Sequence, residues 1–138
     1  MEWSDNFLVG IPEIDAQHRG LLWIAFQVLQ RSANGEDWSA VHTAMNYFAK
    51  SARAHFLYEE ALMRIVSYPK LTEHQAEHRQ CDSKLIALEQ QSLAGPSSLE
   101  MITYLTTWLY GHITTFDKEL ALFLQERGAV VSSSTDQH

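Results

Sequence analysis

Apolar residues recur every three or four positions along most of this chain, the spacing of helices that each bury one face. The first stripe, Ile14, Leu21, Leu22, Ala25 and Leu29, predicts a helix from Ile14 to Ala33 that "NGED" ends. Before it, Met1 to Glu13 reads as an irregular arm broken by Gly10 and Pro12. Val41, Met45, Phe48, Ala52, Phe56, Leu62 and Val66 predict a second helix over Ser39 to Ile65. "SYPK" follows, and a third helix is expected from Pro69 to Leu93, because a first helical turn accommodates proline. Its seam is Leu71, Cys81, Leu85 and Leu88, and "GPSS" closes it. Ser97 and Glu100 have the S-x-x-E spacing of a capping box. They open a fourth helix with Ile102, Leu105, Leu109, Phe116, Leu120 and Phe123 inward. That helix is expected to end at Arg127, with Gly128 as its stop and 128–138 as a tail. No sustained period-two run suggests a strand. The pattern predicts an all-α chain: an antiparallel up-down-up-down four-helix bundle with an irregular N-terminal arm, one domain over 1–138.

Polar residues interrupt every one of these seams. His18 falls between Ile14 and Leu21. His55 and Glu59 stand one turn apart between Ala52 and Leu62, and His74 and His78 one turn apart between Leu71 and Cys81. His112 lies between Leu109 and Phe116, with Asp117 five residues on. A five-residue step falls about 140° off an ideal helical stripe. Either a π-type turn realigns the pair, or the two side chains approach a common point from both sides of the stripe. Of the remaining histidines, His42 is expected to face solvent and His138 ends the chain.

A single inward histidine is ordinarily a core residue bonded to a carbonyl. Five inward histidines and two inward carboxylates on four helices are different, since an unpaired carboxylate is costly to bury. A bound cation offsets all these costs together. Seven donors exceed a four-coordinate zinc site. Two bridging carboxylates and one bridging solvent oxygen would serve a pair of metals, with the imidazoles divided three and two. One metal would then be six-coordinate and the other five-coordinate, with a position open to one small ligand. Mixed imidazole and carboxylate donors suit iron better than calcium or magnesium.

Charge narrows the partners. Ten Lys and Arg against 17 Asp and Glu give a net charge of −7 and a pI near 5.4, which argues against nucleic-acid binding and docking on anionic membranes. The lone Cys81 has no partner for an internal disulfide, which fits a reducing compartment, and packing is its expected role. "MEWSDNFLVG" lacks the basic and apolar regions of a signal peptide, and no apolar run reaches membrane-helix length. A cytoplasmic protein without membrane insertion is expected.

The order His18, His55 to Glu59, His74 to His78, His112 to Asp117 resembles the H, HxxxE, HxxxH, HxxxxD pattern of the hemerythrin family, its single-domain bacterial members in particular. Trp3, Gly10, Ile14, Asp15, Gln17 and His18 resemble the family's opening, and "WLYGHI" its fourth-helix signature. The resemblance implies reversible O2 binding for carriage, storage or delivery at two non-haem irons with an oxo or hydroxo bridge. It implies that His74, His78 and His112 hold the saturated iron, that His18 and His55 hold the open one, and that Glu59 and Asp117 bridge. Phe56, Trp108, Leu109 and Ile113 match the dry O2 pocket.

Ferritin-like di-iron proteins use Glu-x-x-His pairs, and no such pair occurs here. Three other functions compete with O2 binding: a redox or oxygen sensor read by a partner, a di-iron enzyme acting on peroxide or NO, and a structural zinc domain. No acid or base beside the pocket is obvious, although Tyr58, Tyr104 and Tyr110 could donate, so a non-enzymatic role is expected. The recipient of the oxygen and the oligomeric state are left open.

Overall fold

In a computed structural model the protein is described over residues 7–94 and 99–135. Trp3, Ser97, His138 and the first six residues of the expected arm lie outside the described residues. Helices α1 (Pro12–Ala33), α2 (Trp38–Ile65), α3 (Leu71–Ala94) and α4 (Leu99–His112) come in order. A π-helical segment, Ile113–Asp117, then leads without a break into α5 (Lys118–Thr135), and no strand occurs among the described residues. Helix α1 packs on α2 and α4, and α3 packs on α2 and α4, so the four close into a ring.

Local chemistry moves several expected boundaries. The first helix starts at Pro12 rather than Ile14, with the proline at its first position and Ile11 extended before it. Asp15 faces backward and accepts the backbone N–H groups of Val9 (2.8 Å) and Gly10 (3.2 Å). Gly10 itself has φ +93° and lies against Gln125, so a Cβ there would be both strained and obstructed. Asn34 and Gly35 (φ +66°) end α1 at the expected "NGED".

The third helix begins at Leu71, not Pro69. Ser67 takes a left-handed φ of 53°, and Tyr68 N–H bonds back to Met63 O at 2.8 Å, which seals the end of α2. Pro69 and Lys70 are then needed for the turn, closed by Leu71 N–H to Tyr68 O at 3.3 Å.

The fourth helix departs most from expectation. It is not one α-helix, since the π segment interrupts it, and it does not stop at Gly128 but runs to Thr135. Glycine lowers helix propensity by about 1 kcal/mol without ending a helix, and no proline follows to end it. The expected tail over 128–138 is therefore helical as far as Thr135.

The core comes as one large and two smaller apolar clusters. The large one gathers Leu21, Leu22, Phe48, Phe56, Cys81, Leu85, Leu88, Leu109 and Ile113, among others. Smaller clusters form around Val9, Ile14 and Ala121 and around Met63, Tyr68 and Leu120. Each fully buried leucine, such as Leu85 or Leu88, contributes roughly 1.5–3 kcal/mol. Between these clusters, at the same level on every helix, lie the polar residues that interrupt the seams.

Candidate metal centre

All seven inward polar residues are buried: His18, Glu59 and Asp117 are 0% exposed and the other four histidines no more than 3%. Half-turn logic explains six of them, because each lies on the stripe its helix turns inward. Asp117 needs the π segment. An i to i+5 ladder brings residues five apart onto one face, so His112 and Asp117 meet, with Nε2 3.0 Å from Oδ1. Of the two geometries open from the spacing, the π turn is the one found. Hydroxyls support it: Thr114 Oγ1 donates to Tyr110 O (2.9 Å) and Thr115 Oγ1 to Gly111 O (2.6 Å).

The donor atoms form two overlapping groups. Glu59, His74, His78, His112 and Asp117 make one; His18, His55, Glu59 and Asp117 make the other. Within each group the donor atoms lie within 4.8 Å of one another, and both carboxylates belong to both groups. Glu59 Oε1 is 3.1 Å from His78 Nε2 and 3.4 Å from the Nε2 atoms of His55 and His74. Asp117 Oδ1 is 3.0 Å from His74 Nε2, and Oδ2 is 2.8 Å from His18 Nε2. His18 and His55 face each other through their Nε2 atoms at 3.2 Å.

These contacts do not satisfy the cluster. Among the described residues, six buried side-chain atoms make no hydrogen bond: Nδ1 of His18, His74 and His112, Nε2 of His112, Oε2 of Glu59 and Oδ2 of Asp117. All six belong to the seven residues. His112 Nε2 and Asp117 Oδ2 have close neighbours yet lack hydrogen-bond geometry. Orphaned donors and acceptors converging in an apolar interior fit a cation site, which supplies the missing partner.

Electrostatics of the metal-free cluster follow from the same closeness. Burial disfavours a charged His55, but the Glu59 and Asp117 carboxylates outweigh it and raise its pKa to about 10. His74 rises to about 9 for the same reasons. Burial and Asp117 push Glu59 upward, yet His55 and His74 prevail and hold it at about 2. Asp117 is likewise held well below the usual carboxylate range, where burial loses to the imidazoles of His112, His18 and His55.

The stability contribution of the two histidines is full below their ordinary 6.5 and is lost as pH rises through about 9 and 10. That of Glu59 is full above its ordinary 4.5 and is lost as pH falls through about 2. The metal-free chain is therefore expected to melt highest between pH 4.5 and 6.5 and progressively lower toward pH 10. Thermal unfolding in chelator, followed by circular dichroism, checks this; a melting temperature that climbs from neutral to alkaline pH contradicts it.

Aromatic rings wall one side. Phe56 stacks on His78 (centroids 4.2 Å apart, 15°) and lies 6.0 Å from His55. Trp108 and Phe116 stack on His112 at 4.7 and 5.6 Å. Leu109 and Ile113 are buried in the same apolar cluster as Phe56, and Trp108 packs partly buried against it. Cys81 is also there, and burial pushes its thiol up to about 12, which leaves it inert. His42 lies apart from the cluster, half-buried, 6.4 Å from the Trp38 ring.

Three side chains that the seams did not single out as functional touch the outer nitrogens. Gln17 Oε1 accepts from His55 Nδ1 at 2.6 Å, and Glu60 Oε2 accepts from His78 Nδ1 at 2.9 Å. Glu77 Oε1 lies 3.6 Å from His112 Nδ1. All three adjoin a predicted ligand in sequence, and Gln17 also belongs to the opening that resembles the family's; neither signal points to the contact made.

Fold and site thus define a helical bundle that carries a buried histidine and carboxylate cluster able to hold metal. The family model described as "Hemerythrin HHE cation binding domain" matches residues 9–124, and the chain belongs to the hemerythrin family. A bacteriohemerythrin of Stenotrophomonas maltophilia is 31% identical over 126 residues, covering 86% of this chain and 78% of that protein. A bacteriohemerythrin of Clostridium acetobutylicum is 27% identical, covering 85% and 95% respectively. A myohemerythrin of Riftia pachyptila is 26% identical, covering 83% and 86%. No helix among the described residues is long and apolar enough to cross a membrane.

Proposed function

We propose that this chain binds O2 reversibly at a non-haem di-iron centre, for carriage, storage or delivery, and is not an enzyme. The observation that carries this is the division of seven donors into two groups that share Glu59 and Asp117. His74, His78 and His112 would hold one iron, His18 and His55 the other, and the two carboxylates would lie between them. A ferrous pair supplies the electrons that make O2 binding reversible. The five-donor group leaves less of its ion open than the four-donor group, so O2 would enter beside His18 and His55. Phe56, Trp108, Leu109 and Ile113 would keep water away; Phe56, Leu109 and Ile113 are no more than 4% exposed.

The ring packing of α1 to α4, with connections at 34–37 and 66–70, supports an up-down-up-down course for a single domain. The start of α1 at Pro12, with residues 7–11 before it, supports the reading of an N-terminal arm. A single, buried cysteine and an acidic pI fit a cytoplasmic setting.

The test is reconstitution with ferrous iron without air, followed by admission of O2. Visible bands that appear with O2 and vanish under argon, at two irons per chain, are expected. Irreversible bleaching on first contact with O2, or one iron per chain, would overturn the reading.

A further inference from the structure

The two donor groups have differently charged surroundings. In the three-histidine group, His78 donates from Nδ1 to the Glu60 carboxylate at 2.9 Å. Glu60 is itself braced, accepting from Gln75 Nε2 at 3.0 Å with Arg64 Nη2 3.8 Å away. His112 of the same group has the Glu77 carboxylate 3.6 Å from Nδ1, a charge nearby without a hydrogen bond, and His74 Nδ1 makes no hydrogen bond. In the two-histidine group, His55 donates to Gln17, a neutral amide, and His18 Nδ1 makes no hydrogen bond.

A carboxylate on the outer nitrogen of a ligating histidine makes the inner nitrogen a stronger donor, whereas an amide fixes the ring and its tautomer without adding charge. Both arrangements leave Nε2 facing the cluster. They differ in how strongly that nitrogen donates, and the difference adds to the unequal number of histidines.

We propose that Glu60 and Gln17 are positioning residues that make the two halves of the centre unequal: the half braced by Glu60 fills first and holds its ion more tightly, and the half oriented by Gln17 fills second. This rests on reading the cluster as a two-ion site and is independent of O2 binding. In consequence the chain passes through a one-ion form during loading, and chelation empties the His18–His55 half first.

Cobalt(II) titration of the metal-free chain, by calorimetry and by the visible bands of the bound ion, tests this without O2. Two separate steps are expected. Glu60→Gln should weaken the first step about 10–100-fold and leave the second nearly unchanged. Gln17→Glu should strengthen the second step and bring the two together, a gain that damage to the fold does not produce. Identical and independent sites in the unmodified chain would overturn the proposal. So would Glu60→Gln weakening both steps alike, or Gln17→Glu leaving the second step unchanged or weaker. Failure of reversible oxygenation with intact stepwise cobalt loading would count against the O2 reading alone.

Discussion

Glu59→Ala is expected to abolish metal retention in both halves of the centre, the largest loss from any single side chain except Asp117. Glu59 and Asp117 are the two residues common to both donor groups, and Glu59 Oε1 lies within 3.4 Å of His55, His74 and His78. Removing an outer partner of a ligand typically costs about 10–100-fold in metal affinity. Removing a donor shared by two ions should exceed that for each of them.

The fold should also suffer in the metal-free state, since Glu59 is fully buried and its charge helps hold His55 and His74 in their protonated forms. Truncating one partner of a buried charge pair leaves the other uncompensated, a cost of about 3–5 kcal/mol. The histidine variants should behave in a graded way. His78→Ala should impair iron retention in the three-histidine half, while His18→Ala should impair O2 binding more than folding. Iron content by plasma emission and folding by circular dichroism, measured on all three variants, decide the matter. Unchanged iron content in Glu59→Ala would refute the shared role, and equal iron content in His18→Ala, His78→Ala and the unmodified chain would refute the division of ligands.

Much of this arrangement was legible along the chain because helical geometry ties position to face. Ile14, Met45, Phe48, Leu85, Leu105 and Leu120 were expected inward and are buried. The six ligand candidates other than Asp117 share those stripes, so the same rhythm that finds the core finds the donors. Helix ends were less legible. Pro12 begins α1 as a first-turn residue, although a proline also reads as a breaker. Gly128 reads as a stop, yet the helix continues past it to Thr135. Local propensity differences of about 1 kcal/mol decide such ends, and neighbouring contacts override them easily.

The outer partners were hidden for another reason. Glu60 and Gln17 lie about 100° around their helices from Glu59 and His18, at the edge of the buried stripe. Glu60 reaches a histidine 18 positions away on α3, and Gln17 one 38 positions away on α2. Spacing within one helix says nothing of contacts between helices. Only the packing of α2 on α1 and α3 turns these surface-type residues into second partners of buried imidazoles.

Inserting an alanine between Thr114 and Thr115 tests the one feature on which ligand geometry and helix phase depend together. Five residues, Ile113–Asp117, form the π segment, which already seats one residue more than an α turn, so a further residue should not fit within it. Every residue after the insertion then turns by about 100° and moves on by about 1.5 Å. Asp117, fully buried among four histidines, would leave the centre, and iron binding in both halves should collapse. Leu120 and Ala121, each 0% exposed, would rotate out of the smaller apolar clusters with it. Loss of one such leucine from a core typically costs about 2–5 kcal/mol, so the melting temperature should fall as well. Deleting Thr114 is the contrast: the helix continues as regular α, and Asp117, then four residues from His112, stays on the same face with α5 in phase.

The two consequences can be separated. Removing Lys118 from the insertion variant restores the phase of α5 from Glu119 onward but leaves Asp117 turned away. Stability should then largely return while iron binding stays lost. If the insertion variant keeps its iron, the π segment has widened to absorb the residue or Asp117 is not a ligand; substituting Asp117→Ala in the same background distinguishes these, because only a ligand takes the iron with it.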